Sequence, residues 1–348
     1  MDIGIIGAGA ASAAAAYAIH RDAPDAQCTV LEKSGGVCGR AATRRRDGRW
    51  YDYGANYLKD DDERVRSLVT ERLETDGLVS IDEPISVFDE DGTVGEGRPT
   101  TERKLTYRTG LTQIAKRLFG ETDATVNRRT KITGINRDDG RWRLTDSDGE
   151  KWGPYDKLLC NPPAPQTARL LREADWEDER RDALVEAAES VEYRTVWTAV
   201  LGYEFELEVP YYALVNTDKR HEIGWIAREE CKPGHVPDGE SVLIVQANEP
   251  WSVERYDDDP AENVAKLARL TAEVVGDDRL ENPTWTDHQG WRYAQPEDGV
   301  DRDAFEVAER AGLYCLGDWV AGEGRLHAAL RNGLETGERV GRSIPTED

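Results

Sequence analysis

Residues 3–12 read IGIIGAGAAS, an apolar run that gives way to alternating Gly and Ala. The run predicts a short strand from Ile3 to Ile6, and the Ala-rich residues that follow predict a helix from Ala10 to His20. A second apolar stretch predicts another strand from Cys28 to Leu31, ending at Glu32. Strand, helix and strand within about 30 residues form the βαβ unit of a Rossmann-type fold.

The spacing of small residues in the first turn is typical of a dinucleotide site. Gly7 allows the tight turn, Gly9 allows a pyrophosphate to approach the backbone, and the third small position lets helix and strand pack closely. Ser12 occupies that third position, where the fingerprint has Gly or Ala. Glu32 lies at the tip of the second strand, where a carboxylate can accept both ribose hydroxyls. The alternative interpretation is an ordinary Gly-rich turn.

Two further segments favour FAD over NAD. After Glu32 the chain continues as KSGGVCGRAATRR, a Gly-rich loop in which the Arg40 guanidinium can neutralise phosphates. A surface salt bridge is the alternative role for Arg40. Near the C-terminal end, a predicted strand over residues 312–316 precedes Asp318 and a predicted helix over residues 324–340. An acid at a strand end beside a helix N-terminus suits the ribityl and pyrophosphate groups of non-covalently bound FAD.

The charge balance excludes several classes of partner. The 348 residues include 69 acidic and 45 basic side chains, a net charge of -24, so the surface repels nucleic acid and anionic membranes. No stretch approaches the roughly 20 apolar residues of a membrane span. The acidic bias indicates the salt-rich cytoplasm of a halophile, where a Debye length of about 3 Å at 1 M salt screens self-repulsion. Five Cys without a CxxC pair indicate a reducing, cytoplasmic setting and no metal site.

The length predicts two domains in an α/β protein. We expect a Rossmann-type FAD-binding domain made of both chain ends and a smaller antiparallel-sheet substrate domain that covers the flavin. Alternating residues over 190–256 predict that sheet, with one buried face. The cofactor domain is expected to comprise residues 1–75, 105–165 and 285–348, and the substrate domain residues 76–104 and 166–284.

Seven sequence blocks, in the same order across nearly the whole chain, resemble the renalase-type FAD-dependent oxidoreductases of the flavin amine oxidase superfamily. The blocks are EKSGGVCGRAATRR, WYDYGANY, CNPPAPQTARLL, GWIAREECKPG, EPWSVERY, GWRYAQP and LGDWVAGEGR. The resemblance implies oxidation of a small dihydronicotinamide, NAD(P)H or an isomer with its hydride at an unproductive ring position. It also implies that molecular oxygen receives the electrons as peroxide.

The same resemblance implies a set of site residues, which divide into cofactor contacts and substrate-side candidates. The cofactor contacts are Gly7, Gly9, Ala10, Ala11, Glu32, Lys33, Gly39, Arg40, Gly54, Ala55, Asn56, Tyr57, Ile132 (through its backbone), Gly317, Asp318, Arg325 and Leu326. The substrate-side candidates are Tyr57, Trp291, Arg292 and Tyr293. Hydride transfer to a flavin needs no side-chain nucleophile, so no further catalytic residue is assigned.

Three positions depart from the family pattern. Cys38 replaces a second Gly, Asn56 replaces Gln, and Glu229 replaces an Asn that is common after Ala-Arg. If Glu229 faced the substrate, its carboxylate would repel the phosphates of a dinucleotide donor.

Other interpretations stay open from the residues alone. Trp291 and Tyr293 could be ordinary core packing, and Arg292 could form an ion pair on the opposite face of its strand. His327 is a candidate base near the flavin. An amine oxidase with an aromatic slot and a non-catalytic flavin redox sensor are the alternative functions.

Overall fold

The computed structural model describes residues 1–99, 101–300 and 303–344, so the last residues of the expected 285–348 segment lie outside the described part. The strands are β1 Asp2–Ile6, β2 Gln27–Glu32, β3 Thr43–Arg46, β4 Arg49–Asp52, β5 Leu58–Lys59, β6 Leu78–Ile81, β7 Ile85–Phe88, β8 Val94–Gly95, β9 Lys104–Tyr107, β10 Thr125–Arg128, β11 Ile132–Asp138, β12 Arg141–Asp146, β13 Lys151–Tyr155, β14 Lys157–Cys160, β15 Tyr193–Tyr203, β16 Ala213–Asn216, β17 Ile223–Arg228, β18 Ser241–Ala247, β19 Trp285–Pro296 and β20 Leu313–Cys315. The helices are α1 Ala10–Asp22, α2 Glu63–Ser67, α3 Thr112–Gly120, α4 Ala164–Arg172, α5 Glu179–Glu189, α6 Glu249–Glu254, α7 Pro260–Val275, α8 Asp303–Glu309, α9 Asp318–Ala321 and α10 Leu326–Arg342.

A parallel sheet with the strand order β10-β2-β1-β14-β20 carries the N-terminal βαβ unit. Its central strands are apolar and buried, as expected for a sheet covered on both faces. Helix α1 packs against α10 at close range. A Cβ at Gly333 or Gly337 would overlap the backbone oxygen of Ala11 or Ala15, so only glycine permits this approach. Both chain ends therefore meet in one parallel-sheet layer, which confirms the predicted fold class.

A second sheet has the strand order β19-β15-β18-β17-β16-β7-β8 and is antiparallel except at the β16–β7 pair. Helix α7 covers one face, where Leu267 and Ala268 pack against Leu243 and Val245. The opposite face turns toward the chain around Tyr51 and Tyr57. Both faces of this sheet are thus buried, whereas the alternating sequence pattern predicted one buried face. The difference arises because the neighbouring layer also covers the polar residues of the second face.

Two segments pack differently from the expected domain boundaries. Strand β19 pairs with β15, so residues 285–296 belong to the seven-stranded sheet rather than to the cofactor layer. Helices α4 and α5 bury Leu171 and Leu184 in one cluster with Leu158 of the parallel sheet. An amphipathic pattern shows that a segment has an apolar face, but not which sheet that face covers.

Candidate cofactor and active site

The turn between β1 and α1 has the backbone that the glycine spacing predicts. Gly7 adopts φ +90°, a left-handed conformation that side chains disfavour. A Cβ at Gly9 would overlap the Asn161 side chain, so this position is restricted by the end of β14 as well. Gly9 caps α1 without a side-chain hydrogen bond, which leaves backbone N–H groups at the helix start for an anion.

Two buried features of this turn fit a dinucleotide. The Ser12 side chain is fully buried, and its hydroxyl has no hydrogen-bond partner among the described residues. The Glu32 carboxylate accepts hydrogen bonds from the N–H groups of Ala8 and Ser34, each at 2.7 Å. Each carboxylate oxygen has a second lone pair, so Glu32 can order the turn and still accept ribose hydroxyls.

The loop after β2 contains Cys38, one of the three positions that depart from the family pattern. Cys38 adopts φ +80°, is buried, and donates its N–H to the Ala8 carbonyl oxygen at 2.8 Å. A left-handed non-glycine residue costs about 1–3 kcal/mol, so the family's Gly is the less strained choice. Gly39 follows at φ +57°, and a Cβ there would lie 3.5 Å from the Gly9 Cα. The loop is therefore held directly against the predicted pyrophosphate turn.

Arg40 and Asp318 are brought together from opposite ends of the chain. An Arg40 Nη lies 2.7 Å from the Asp318 carboxylate, and the other Nη donates to the carbonyl oxygens of Tyr293 and Ala294. Burial alone would lower the pKa of Arg40, but Asp318 more than offsets this and the pKa is raised. The Arg40 side chain is 29% exposed and that of Asp318 is 10% exposed, so the ion pair is partly buried rather than on the open surface.

The segment Gly54–Tyr57 follows β4. We call it the flavin wall because the sequence resemblance predicts that it lines the flavin ring. The Ala55 N–H donates to the Arg40 carbonyl oxygen at 2.9 Å, and a Cβ at Gly54 would overlap that oxygen. Gln246 of β18 donates its side-chain amide to the Gly54 carbonyl oxygen at 2.8 Å. The Asn56 Oδ1 is buried without a partner among the described residues. Hydrogen bonds thus hold the wall to the Arg40 backbone on one side and to the seven-stranded sheet on the other.

The three predicted residues of β19 have different surroundings. Trp291 stacks on Tyr53 with ring centroids 5.3 Å apart, donates its indole N–H to the Tyr53 carbonyl oxygen, and would lie 3.2 Å from a Gly54 Cβ. The Tyr293 ring packs edge-on against Tyr193. Arg292 points to the other side, where its guanidinium covers the Tyr256 ring and lies 3.5 Å from Asp257. This geometry favours the exposed ion pair for Arg292 over recognition of a substrate group.

The remaining predicted contacts lie around these elements. Ile132 begins β11 and is buried, and the nearby Thr130 N–H donates to the Glu32 carbonyl oxygen. Lys33 is exposed, with its ammonium 3.4 Å from Gln166. Ala10 and Ala11 begin α1, and Gly317, in the left-handed region, donates its N–H to Asn332. Arg325 and Leu326 form the start of α10, whose N-cap has no side-chain hydrogen bond.

His327 lies in the first turn of α10 and is buried. One ring nitrogen is 3.4 Å from Asp61 and the other is 3.4 Å from Glu323. Each ring nitrogen of His327 therefore lies near a carboxylate oxygen.

Four residues near the wall were not predicted from the sequence: Thr198, Tyr212, Trp225 and Gln246. The rings of Tyr57, Tyr212 and Trp225 form a triangle with centroids 6.2–6.5 Å apart. The Tyr212 hydroxyl, the Trp225 indole N–H and the Thr198 hydroxyl are buried without partners among the described residues. Thr198 and Trp225 both pair with Gln246 across the sheet, so their side chains share its face. The alternation over 190–256 indicated a sheet, but the strand register needed to group these residues is a tertiary property.

Glu229 lies against buried protein groups. It is fully buried, 2.6 Å from the Lys232 ammonium and 2.8 Å from His235 Nδ1. Ligand atoms of Asp52, Glu229 and His235 lie within 4.8 Å of one another, which is close enough for a metal ion. The Lys232 ammonium, however, contacts both carboxylates and already supplies the positive charge. The residues present therefore fit a buried ion-pair cluster and not a metal centre.

A parallel sheet with a Gly-rich βαβ turn, covered by an antiparallel sheet whose polar face meets the flavin wall, defines an FAD-dependent oxidoreductase. Comparison with known families agrees. Residues 5–72 match the NAD(P)-binding Rossmann-like domain, and residues 88–341 match the flavin containing amine oxidoreductase family. The chain belongs to this flavin amine oxidase family, which makes it an enzyme and sets aside the non-catalytic redox sensor.

Solved structures of several oxidases and of an isomerase share the fold. A putative protoporphyrinogen oxidase from Exiguobacterium sp. 255-15 superimposes with a TM-score of 0.80 at 16% identity, covering 99% of both chains. Wild-type putrescine oxidase bound to putrescine gives 0.75 at 12% identity, covering 99% of this chain and 98% of that one. A CLA-producing fatty acid isomerase from P. acnes gives 0.70 at 15% identity, covering 97% and 98%. Among the described residues, no helix is long and apolar enough to cross a membrane.

Proposed function

We propose that this enzyme oxidises a small dihydronicotinamide, either NAD(P)H or one of its ring isomers. Bound FAD supplies the hydride acceptor, and molecular oxygen then takes the two electrons with two protons to give hydrogen peroxide. The donor leaves as the nicotinamide cation. Its hydride accounts for the two electrons and one of the two protons of the peroxide, and the solvent supplies the second proton. The chain contributes binding and orientation of the donor ring and exclusion of water.

The observation that carries this proposal is the set of unpartnered polar atoms on the sheet face. The Trp225 indole N–H is a donor only, so a ligand that meets it must offer an acceptor such as a carbonyl oxygen. Burial, reinforced by Glu229, raises the pKa of Tyr212 well above its ordinary value, so its hydroxyl stays protonated and can donate as well. A carboxamide supplies both the acceptor and the donor that such a face requires, and an alkylammonium supplies no acceptor.

The charges near this face also favour a neutral ring. The acids closest to the Tyr212 hydroxyl include Glu229 and Asp52, and both are fully buried and paired with Lys232. An ammonium substrate would therefore find no free carboxylate from this pair. The flat aromatic surfaces of Tyr57 and Trp225 suit a planar heterocycle.

Amine oxidation is the second candidate, because the family match and the similarity to putrescine oxidase favour it. In that case a neutral amine would lie between the aromatic rings and give up a hydride from its α-carbon. The aromatic triangle is compatible with this use, but the single lone pair of a neutral amine nitrogen can accept from only one of the two unpartnered donors, Trp225 and Tyr212.

The deciding experiment is anaerobic reduction of the bound flavin by a panel of donors. We expect NAD(P)H isomers with hydride at the 2- or 6-position to bleach the flavin far faster than primary amines. Tyr212→Phe removes only the hydroxyl and should weaken donor binding about fivefold, the effect of one neutral hydrogen bond. Val236→Ala, which removes only apolar atoms from the same cluster, is the control. Bleaching by amines alone would establish the amine oxidase instead.

A further inference from the structure

A cluster of four charged side chains lies fully buried beneath the flavin wall, and hydride transfer does not use it. The cluster consists of Asp52, Glu229, Lys232 and His235, and each has 0% relative exposure. Asp52 ends β4, two residues before Gly54, and the other three lie in the segment after β17. Burying four ionisable groups is costly unless every charge is paired, so their arrangement is specific.

The hydrogen bonds determine where the protons lie. His235 Nε2 is 2.9 Å from the Tyr107 carbonyl oxygen, which can only accept, so Nε2 carries a hydrogen. His235 Nδ1 is 2.8 Å from a Glu229 oxygen, and this contact also requires a proton between the two atoms. Whether that proton is placed on the imidazole or on the carboxyl, the Glu229–His235 pair holds it and is neutral overall.

Asp52 and Lys232 complete a cluster of zero net charge. Asp52 is met only by donors: the Leu111 N–H at 3.0 Å, the hydroxyls of Thr43 and Thr106, and the Lys232 ammonium at 3.0 Å. Burial alone would raise the pKa of Asp52, but Lys232 and these hydrogen bonds lower it below its ordinary value. The aspartate is therefore ionised and balances the ammonium.

Glu229 connects this cluster to the flavin wall through the backbone. The same Glu229 oxygen that faces His235 accepts the Asp52 N–H at 3.0 Å. The Trp50 N–H donates to the His235 carbonyl oxygen at 2.8 Å. Strand β4 is therefore held through the N–H groups of both Trp50 and Asp52. A buried carboxylate that accepts a backbone N–H fixes that backbone more firmly than a neutral acceptor.

We propose that Glu229 is a positioning residue for the flavin wall. Glu229 shares a buried proton with His235 and holds the backbone that leads into Gly54. This role concerns the cofactor side and does not depend on which donor reduces the flavin. It also assigns a use to the residue that replaces the family's common Asn.

The test compares Glu229→Gln with Glu230→Gln in the FAD-loaded protein. Glu230 is an adjacent, largely buried acid that pairs with Arg228 and accepts the Val242 N–H, and neither of these partners belongs to β4. The first measurement is the side-chain ¹⁵N spectrum of the five histidines. We expect one histidine of the wild type and of Glu230→Gln to show a shared proton at Nδ1, and Glu229→Gln to show a bare Nδ1 at that residue.

The second measurement is the visible circular dichroism of bound flavin together with the FAD dissociation constant. We expect Glu229→Gln to change the flavin band and weaken FAD binding about tenfold, while Glu230→Gln leaves both unchanged. If Glu229→Gln does not fold, Glu229→Asp retains the charge but withdraws the carboxylate from the Asp52 N–H, and the same effects are expected. A bare Nδ1 in the wild type would overturn the shared proton. Equal flavin spectra and FAD affinities in the position-229 and position-230 variants would overturn the positioning role.

Discussion

The two ends of the candidate FAD site are constructed in different ways. At the nucleotide end, Gly7, Gly9 and Glu32 all belong to one βαβ unit, and Glu32 folds back onto the Ala8 N–H. At the flavin end, Gly54 meets Arg40, Gln246 and Trp291, which come from three distant segments. A local motif can therefore specify the first end, whereas the second depends on the relative placement of two sheets.

The largest expected effect is at the flavin end, where Gly54→Ala would drive a methyl group into the Arg40 carbonyl oxygen. Because a backbone atom cannot move aside cheaply, we expect the free energy of unfolding to fall by about 3 kcal/mol. Denaturant unfolding of the apoprotein measures this. Gly36→Ala is the control, since a Cβ there meets nothing within 4 Å. Equal stability of the two variants would show that the wall is not held as tightly as described.

The next effect is at the nucleotide end, where Glu32→Ala should weaken FAD binding at least about tenfold. Charge-assisted hydrogen bonds contribute roughly 1.5–3 kcal/mol each, and the substitution also frees the N–H groups of Ala8 and Ser34. Fluorescence titration of apoprotein with FAD measures the change. Glu121→Ala, which removes an exposed acidic side chain, is the control. Unchanged FAD affinity would remove Glu32 from the site.

A smaller effect is expected from Trp291→Ala, which should slow flavin reduction about fivefold while FAD stays bound. Trp291 stacks on Tyr53 and lies beside Gly54, where we expect it to orient the donor, and these contacts do not involve Gly7, Gly9 or Glu32 at the nucleotide end. Trp285→Ala removes another Trp from the same strand, one that packs against Tyr51 instead. Anaerobic stopped-flow reduction separates the two variants. If both slow reduction equally, Trp291 acts only through the stability of the sheet.

The smallest effect concerns the whole surface and should not distinguish the two ends. With a net charge of -24, self-repulsion grows as the Debye length rises from about 3 Å at 1 M salt to about 10 Å at 0.1 M. We expect the melting temperature to fall by a few degrees when molar KCl is diluted to 0.1 M. An unchanged melting temperature would argue against adaptation to a salt-rich cytoplasm.

Sequence reasoning was most successful where chemistry is local. The φ of Gly7, the helix that begins at Ala10 and the strand that ends at Glu32 follow from spacing alone, and the structure has all three. It was least successful at β19, which was expected in the cofactor layer and instead pairs with β15. The residue types of β19 suit either sheet, so only strand pairing could decide.

Glu229 shows the same limit in a single side chain. From the sequence, a carboxylate in this position could face the substrate and repel its phosphates. In the fold, the Glu229 carboxylate is buried against Lys232 and His235 and accepts the Asp52 N–H. Charge is readable from sequence, but its partners and its exposure to solvent are not.

The sequence by itself determined the cofactor class, because a tight left-handed turn and a helix N-terminus need only neighbouring residues to form. It also determined the surface charge, which is a sum over residues. Only the tertiary structure decided which side chains face the flavin wall, since the register of β15, β17 and β18 places Thr198, Trp225 and Gln246 on one face. A shift of one residue in a strand would turn these side chains to the opposite face, and the sequence pattern does not fix that register alone.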